Sequence, residues 1–550
     1  MGQNQSSRKR SNSTTIPSSV YSPPNLNRTR SKSLLVPSTS SDNENNKFTA
    51  DSTVNFNEKI QFDNIPSIKI DGEDSSNSSS SATNQTSVNN INSILSDKLF
   101  KQLQNILNDS SIDEIDFSYK NIKFELNFND NEKIELLKSS SFDNIVKFDL
   151  GQNQLANLPT WMYSNNFNKL EILNLYQNQV AEIEFPCILP RLEKLILSQN
   201  ELTAQSFIND SLNKQTSLKI LILSSNNFNQ FPKLNQLYQL EKLSLDRNKL
   251  ENSSGDEQQQ VLLLPDNIKF LSLSYNLFTS FPNVLLKSNS CQTIRELDLS
   301  HNQIQSIPSE ICKLLSLQSL NLGFNKIESI PVELSECYQL VSLDLQSNSL
   351  TTITENSFSK LNNLNTLNLS NNKLTTLSKD IVNLASISIL YVDNNCIESI
   401  AIPSNHSSLN ELYINSNQLK SLESLCQLSF SNITKLAANF NQITTIPSMI
   451  SNLKRLCKLE LNENNITTVS PSIVSLKSLY EVGLGNNKIE NLPPEMAQMT
   501  WLLDINLNKN PIQKNNVASK HGGKAGIFGL NNGGGGNLRA IRGGGIRKID

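Results

Sequence analysis

A chain of 550 residues is long enough for several domains or for one extended repeat array. Its 37% hydrophobic content and formal net charge of −3 are ordinary, but the charge is unevenly placed. Residues 1–40 hold six Lys/Arg and no acid, and residues 514–550 hold seven Lys/Arg and one acid, so two basic ends flank an acidic body. No run approaches the roughly 18 apolar residues that span a bilayer as a helix, and the amino terminus has no apolar signal segment. The seven cysteines (Cys187, Cys291, Cys312, Cys337, Cys396, Cys426 and Cys457) are scattered singly, as expected of small core residues in a reducing compartment. These features predict a cytoplasmic protein without nucleic-acid partners.

Residues 1–92 are low in complexity: 35 of the first 90 are Ser or Asn, too polar to form a core. The chain opens Met1-Gly2-Gln3-Asn4-Gln5-Ser6, an N-myristoylation pattern that makes Gly2 a lipidation candidate. Arg8-Lys9-Arg10 follows, and a basic cluster beside one acyl chain supplies the second signal that holds a protein at the inner face of the plasma membrane. Ser13 and Ser33 each follow arginines at five and three residues before them, as basophilic kinase sites do. Phosphate at Ser13 would add about −1.5 to −2 charge beside the basic cluster and weaken membrane attachment. Lys59-Ile60-Gln61-Phe62 fits the short docking motif for the catalytic subunit of protein phosphatase one, with Ile60 and Phe62 as the buried alternate side chains.

Residues 93–144 read as a cap followed by a degenerate repeat. Leu99, Phe100, Leu103, Ile106 and Leu107 share one face of a helix that Ser96 would start, and Ile112-Ile115-Phe117-Ile122 is an imperfect unit. From 145 to 514 the pattern LxxLxLxxNxL recurs. Its asparagines stand at 153, 178, 200, 226, 248, 276, 302, 325, 348, 372, 395, 417, 441, 464, 487 and 510. The central x-L-x-L-x alternates at period two, which makes a short strand with one face buried. One unit cannot cover that face alone, so units stack into a parallel sheet with a shared core. The asparagine leaves the strand at its turn, where its amide satisfies backbone groups of neighbouring units. Residues 515–550 hold eleven of the 18 glycines and read as a basic linker-like tail.

Several units continue past the asparagine in one way: Ile307-Pro308 to Ile311 and Leu314, Ile330-Pro331 to Leu334, Ile446-Pro447 to Ile450 and Leu453, and Leu492-Pro493 to Met496. This continuation, at a 23-residue period, resembles the intracellular Ras-group leucine-rich-repeat class, which includes the Shoc-two/Sur-eight scaffold. The resemblance covers about residues 95–512. It implies an α/β fold, a right-handed leucine-rich-repeat solenoid of about 16–17 repeats with the parallel sheet on its concave face. It also implies a scaffold that holds a Ras-type small GTPase, with the phosphatase recruited through the amino-terminal tail. A cytoskeletal or structural adaptor using the same face is the alternative.

In such a repeat the positions between and after the two central leucines face outward. They assign Tyr176, Phe270, Tyr275, Glu296, Asp298, His301, Phe324, Asp344, Tyr391, Glu411, Tyr413 and Phe440 to a concave partner-binding surface. Sixteen strands give an arc of about 75 Å. Carboxylates from Glu296 to Asp344 favour a partner rich in Lys or Arg. Catalysis, a cofactor and a metal are not expected: His301, His406 and His521 lie far apart, no cysteine pair has zinc spacing, and Gly533–Gly536 lacks the strand and helix of a phosphate loop.

Overall fold

The computed structural model describes residues 100–105, 113–118, 136, 142–158, 162, 167–185, 188–252, 264–382, 384–400, 408–426 and 432–512. All of them belong to the compact unit Phe62–Asp550. Gly2, Ser13, Ser33, Lys59, Ile60, Phe62, Ser96, Cys187, His406, His521 and the glycine-rich residues 515–550 lie outside them.

Seventeen three-residue strands form one parallel sheet, from Glu114–Asp116 to Asp504–Asn506, each hydrogen-bonded to the next in chain order. The register is constant, with the buried central residue of each strand opposite that of its neighbour: Leu297 faces Leu320, which faces Leu343, which faces Leu367. This follows from the alternation, because a slip by one residue would turn every leucine outward. The imperfect unit at Ile115 joins through Ile115 and Phe148. Phe100 and Leu103, in the helical residues 100–105, are buried in the same hydrophobic cluster.

The leucines before, within and after each strand are almost wholly inaccessible, and Leu317, Leu320 and Leu322 are typical of the cluster that runs through the described repeats. The isoleucine–proline units place short 3-10 helices on the far side of the core. Ser309–Lys313, Val332–Glu336 and Ser448–Asn452 each begin after a proline whose extended backbone sets the entry. Ile311, Leu334 and Ile450 are buried from these helices. In the early repeats the same layer is aromatic: Phe142 stacks on Phe167 at 4.7 Å.

Fifteen of the sixteen repeat asparagines are buried and the last, Asn510, is half-buried. Asn325 shows the bonding. Its Nδ2 donates to the carbonyls of Leu322 (3.0 Å), Gly323 (3.2 Å) and, one repeat earlier, Leu299 (3.0 Å), while its Oδ1 accepts the N–H of Ile304 at 3.0 Å. Each asparagine therefore ties its own turn to the preceding repeat, and asparagine suits the place because one side chain supplies both donor and acceptor.

Cys337 and Cys426 are free and buried, and burial pushes both thiols up to about 12, so they pack as small apolar residues. Among the described residues no helix is long and apolar enough to cross a membrane, and no group of three or more His, Cys, Asp and Glu is placed to hold a metal ion.

Candidate functional site

The first and third residues of each strand, and the two that precede the repeat asparagine, face away from the core. The face they form carries most of the side chains assigned to it from sequence. Tyr275, Phe324 and Phe440 are 40%, 43% and 59% exposed. Tyr176, Phe270, His301, Tyr391, Tyr413, Glu296, Asp344 and Glu411 are half-buried. Asp298 requires correction: it is only 6% exposed, and its carboxylate accepts the backbone N–H of Ser300 at 2.9 Å. It closes the turn after its strand instead of presenting a charge. Asp149, Asn321 and Asp344 likewise accept the N–H of Gly151, Gly323 and Gln346, though Asp344 stays half-buried and keeps its carboxylate within reach of the open face. Burial pushes the carboxyls of Asp298 and Glu296 above the usual range, and that of Asp344 up to about 6, with Asp298 adding repulsion to Asp344.

The residue before each repeat asparagine has positive φ. Arg247, Tyr275, His301, Phe324 and Phe440 have φ between 53° and 56°, a region that costs an L-residue roughly 1–2 kcal/mol. Their conformation is imposed by a backbone bond to the next repeat, as when the N–H of Tyr275 donates to Ser300 O at 3.0 Å. Ser225, Ser347, Asn371 and Asn394 hold the same conformation elsewhere, so the fold does not require a large side chain there.

Three rings and a guanidinium form a continuous stack at this position. Arg247 lies 4.1 Å above the Tyr275 ring, Tyr275 and His301 stack at 3.9 Å, and His301 and Phe324 at 4.1 Å, with both ring pairs within 10° of parallel. Burial, with Arg247 nearby, holds His301 below its ordinary pKa, so the imidazole is neutral within the stack. A second aromatic group lies further along: Tyr391 and Tyr413 stack at 4.6 Å, and the Tyr413 hydroxyl donates to Glu411 at 2.6 Å while accepting from Lys435 at 3.0 Å. Burial and the Glu411 carboxylate both raise the Tyr413 pKa, so that hydroxyl stays protonated.

Sequence reasoning missed a second amide ladder on the open face. Asn415 Nδ2 donates to Asp393 (2.8 Å), Asn439 Nδ2 to Asn415 Oδ1 (2.9 Å) and Asn462 Nδ2 to Asn439 Oδ1 (2.9 Å). Asn506 Nδ2 then donates to Asn462 Oδ1 at 3.1 Å. The signal was available as Asn-x-Asn in three consecutive units, Asn415–Asn417, Asn439–Asn441 and Asn462–Asn464. The arrangement is a firm surface of rings, amides and carboxylates, suited to contact.

The family model for leucine rich repeats matches residues 292–350 and 338–397. Osteomodulin from Rattus norvegicus is 31% identical over 306 residues, 52% of this chain and 64% of that protein. Osteomodulin from Bos taurus is 29% identical over 205 residues, 36% of this chain and 44% of that protein. The chain thus spans less than two thirds of the length of these curated relatives. A solved leucine-rich-repeat protein of Leptospira interrogans superposes with a TM-score of 0.57 at 27% identity, covering 75% of this chain and 94% of that one. With their constant register, buried asparagines and 17-stranded parallel sheet, the described repeats of this chain form a leucine-rich-repeat solenoid.

Proposed function

We propose that this chain is an interaction scaffold whose open sheet face holds protein partners and that it performs no covalent chemistry. One observation carries the reading. Tyr275, Phe324 and Phe440 occupy left-handed positions at a steric cost that asparagine, which stands there in other repeats, largely avoids. Large exposed side chains kept at such a cost are accounted for by what they contact, and aromatics on a firm surface are the residues that most often dominate protein interfaces.

At the finer level the proposed setting is intracellular signalling, with regulation of a Ras-family GTPase pathway at the inner plasma membrane. The isoleucine–proline continuation and the 23-residue period support it, together with Gly2 and the Arg8-Lys9-Arg10 cluster as membrane signals. Lys59, Ile60 and Phe62 would recruit the catalytic subunit of protein phosphatase one.

Affinity purification of the full chain with mass spectrometry tests the scaffold reading. Wild type should capture a defined set of proteins, and a variant combining Tyr391→Ser, Tyr413→Ser and Phe440→Asn should release them while remaining folded. Capture unaffected by these substitutions would place the binding surface elsewhere. Purified Ras-type GTPase, loaded with GDP or a GTP analogue, tests the finer level: binding of one nucleotide state supports it, and absent or nucleotide-independent binding opposes it. Co-sedimentation with filaments would favour the adaptor alternative.

A further inference from the structure

The stack on the open face ends differently at its two ends. Along the column of residues that precede the repeat asparagines, the order is Ser225, Arg247, Tyr275, His301, Phe324, Ser347, Asn371. At one end the Arg247 guanidinium covers Tyr275 at 4.1 Å. At the other, His301 covers one side of the Phe324 ring at 4.1 Å, and the next rung is Ser347, whose side chain is too short to cover the opposite side. Phe324 is accordingly 43% exposed. Neighbouring strands in a parallel sheet lie about 4.8 Å apart, so the missing rung leaves about 10 Å between the levels of Phe324 and Asn371. That space admits one planar group at stacking distance.

The floor beside this gap is acidic. Asp344 projects outward three residues before Ser347, and its carboxylate is served by neutral donors: the Gln346 N–H at 2.8 Å, the Gln346 amide at 3.3 Å and the Asn368 amide at 3.3 Å. Gly323, just before Phe324, has no side chain to separate the two. A Cβ there would lie 3.3 Å from Asp344 Oδ1 and 3.1 Å from Gln346 Cγ.

We infer that the rung above Ser347 receives an arginine side chain of a partner protein, its guanidinium stacked on Phe324 and paired with Asp344. The inference rests on the scaffold reading and names the chemistry of the partner. The chain already contains the same pairing in Arg247 on Tyr275. Charge complementarity selects a cation, and the flat slot selects guanidinium over ammonium, because a planar ion stacks on a ring and offers a carboxylate two parallel N–H donors.

The test uses the full chain and fluorescent extended peptides of Gly and Ser carrying two arginines, two lysines or two citrullines, read by anisotropy at fixed ionic strength. Wild type should bind the arginine peptide at least fivefold more tightly than the lysine peptide and lose the citrulline peptide. Phe324→Asn, which keeps a residue suited to the left-handed backbone, and Asp344→Asn, which places there the residue found at 321 and 368, should each weaken the arginine peptide at least fivefold. Equal affinity for citrulline, no wild-type binding at millimolar peptide, or insensitivity to both substitutions would overturn the inference. So would tighter peptide binding when Arg539, Arg542 and Arg547 of the same chain are changed to glutamine, since that would make the chain's own carboxyl end the occupant. If partner capture responds to Tyr391, Tyr413 and Phe440 but not to Phe324 or Asp344, this inference fails while the scaffold reading stands.

Discussion

Asn462 and Gly483 approach so closely that a methyl group at residue 483 would sit 2.5 Å from the asparagine's amide nitrogen. Gly485 is under the same restriction, with a Cβ there 2.6 Å from Asn506 Nδ2. The two glycines make room for the amides that bridge three repeats on the open face. Gly485 also donates its N–H to Asn462 Oδ1 at 2.8 Å.

Gly483→Ala should therefore destabilise the array by about 1–3 kcal/mol, as overpacking does. Because the obstacle is one side chain, Asn462→Ala should relieve part of the loss. Chemical denaturation of both single variants and the double variant measures this, and the two effects should fall short of additivity by about 0.5 kcal/mol or more. Strict additivity would mean that the amide moves aside freely.

Removing the buried ladder should cost more. Asn395 Nδ2 donates to Leu369 O (3.0 Å), Val392 O (3.2 Å) and Asp393 O (3.1 Å), and its Oδ1 accepts Leu374 N–H at 3.0 Å. Asn395→Ala strands these backbone groups in the core and is expected to cost about 2–4 kcal/mol. Hydrogen exchange should rise first in the repeats on either side of residue 395, since each repeat is stabilised chiefly by its neighbours.

Phe440 is 59% exposed in left-handed backbone, where Asn371, Asn394 and Asn486 stand in other repeats. Phe440→Asn is expected to raise stability by about 1 kcal/mol while reducing partner capture. A stability loss would show that the ring serves the fold.

Asp344 gives a pH dependence of definite sign. Burial raises its pKa from 3.8 to about 6, so the folded state holds this proton more tightly than the unfolded chain. Its contribution favours folding below about pH 4 and is lost as the pH rises through 6. Asp344→Asn should flatten that part of the stability profile and stabilise the protein at pH 7.5 by about 1–2 kcal/mol, measured by denaturant melts between pH 4 and 8.

Period and alternation made the solenoid legible. Leu320 and Asn325 repeat with the spacing that stacking requires, and any strand placing Leu320 inward must place Ser319 and Asn321 outward. The face of the sheet was legible for the same reason. Its details were not. Alternation says that Asp298 points away from the core, but not that the turn bends Ser300 N–H back onto its carboxylate and closes it from solvent. The left-handed backbone at Tyr275 and Phe324 runs against the preference of both residues. It arises from bonds between repeats, such as Phe324 N–H to Gln346 O at 2.8 Å, that no single unit encodes. The stack of Arg247, Tyr275, His301 and Phe324 depends on four residues spread over 78 positions meeting in one column, which only the constant register brings about.

The claim that partners are held on the open sheet face is tested most directly by photocrosslinking from single positions in the full chain. A photoreactive phenylalanine analogue would replace Phe324, Tyr413 or Phe440 on that face, or Tyr238 and Tyr338, which are exposed outside the strands. Crosslinks to partner proteins from the first three positions and none from the last two are expected; crosslinks confined to Tyr238 and Tyr338 would contradict the account.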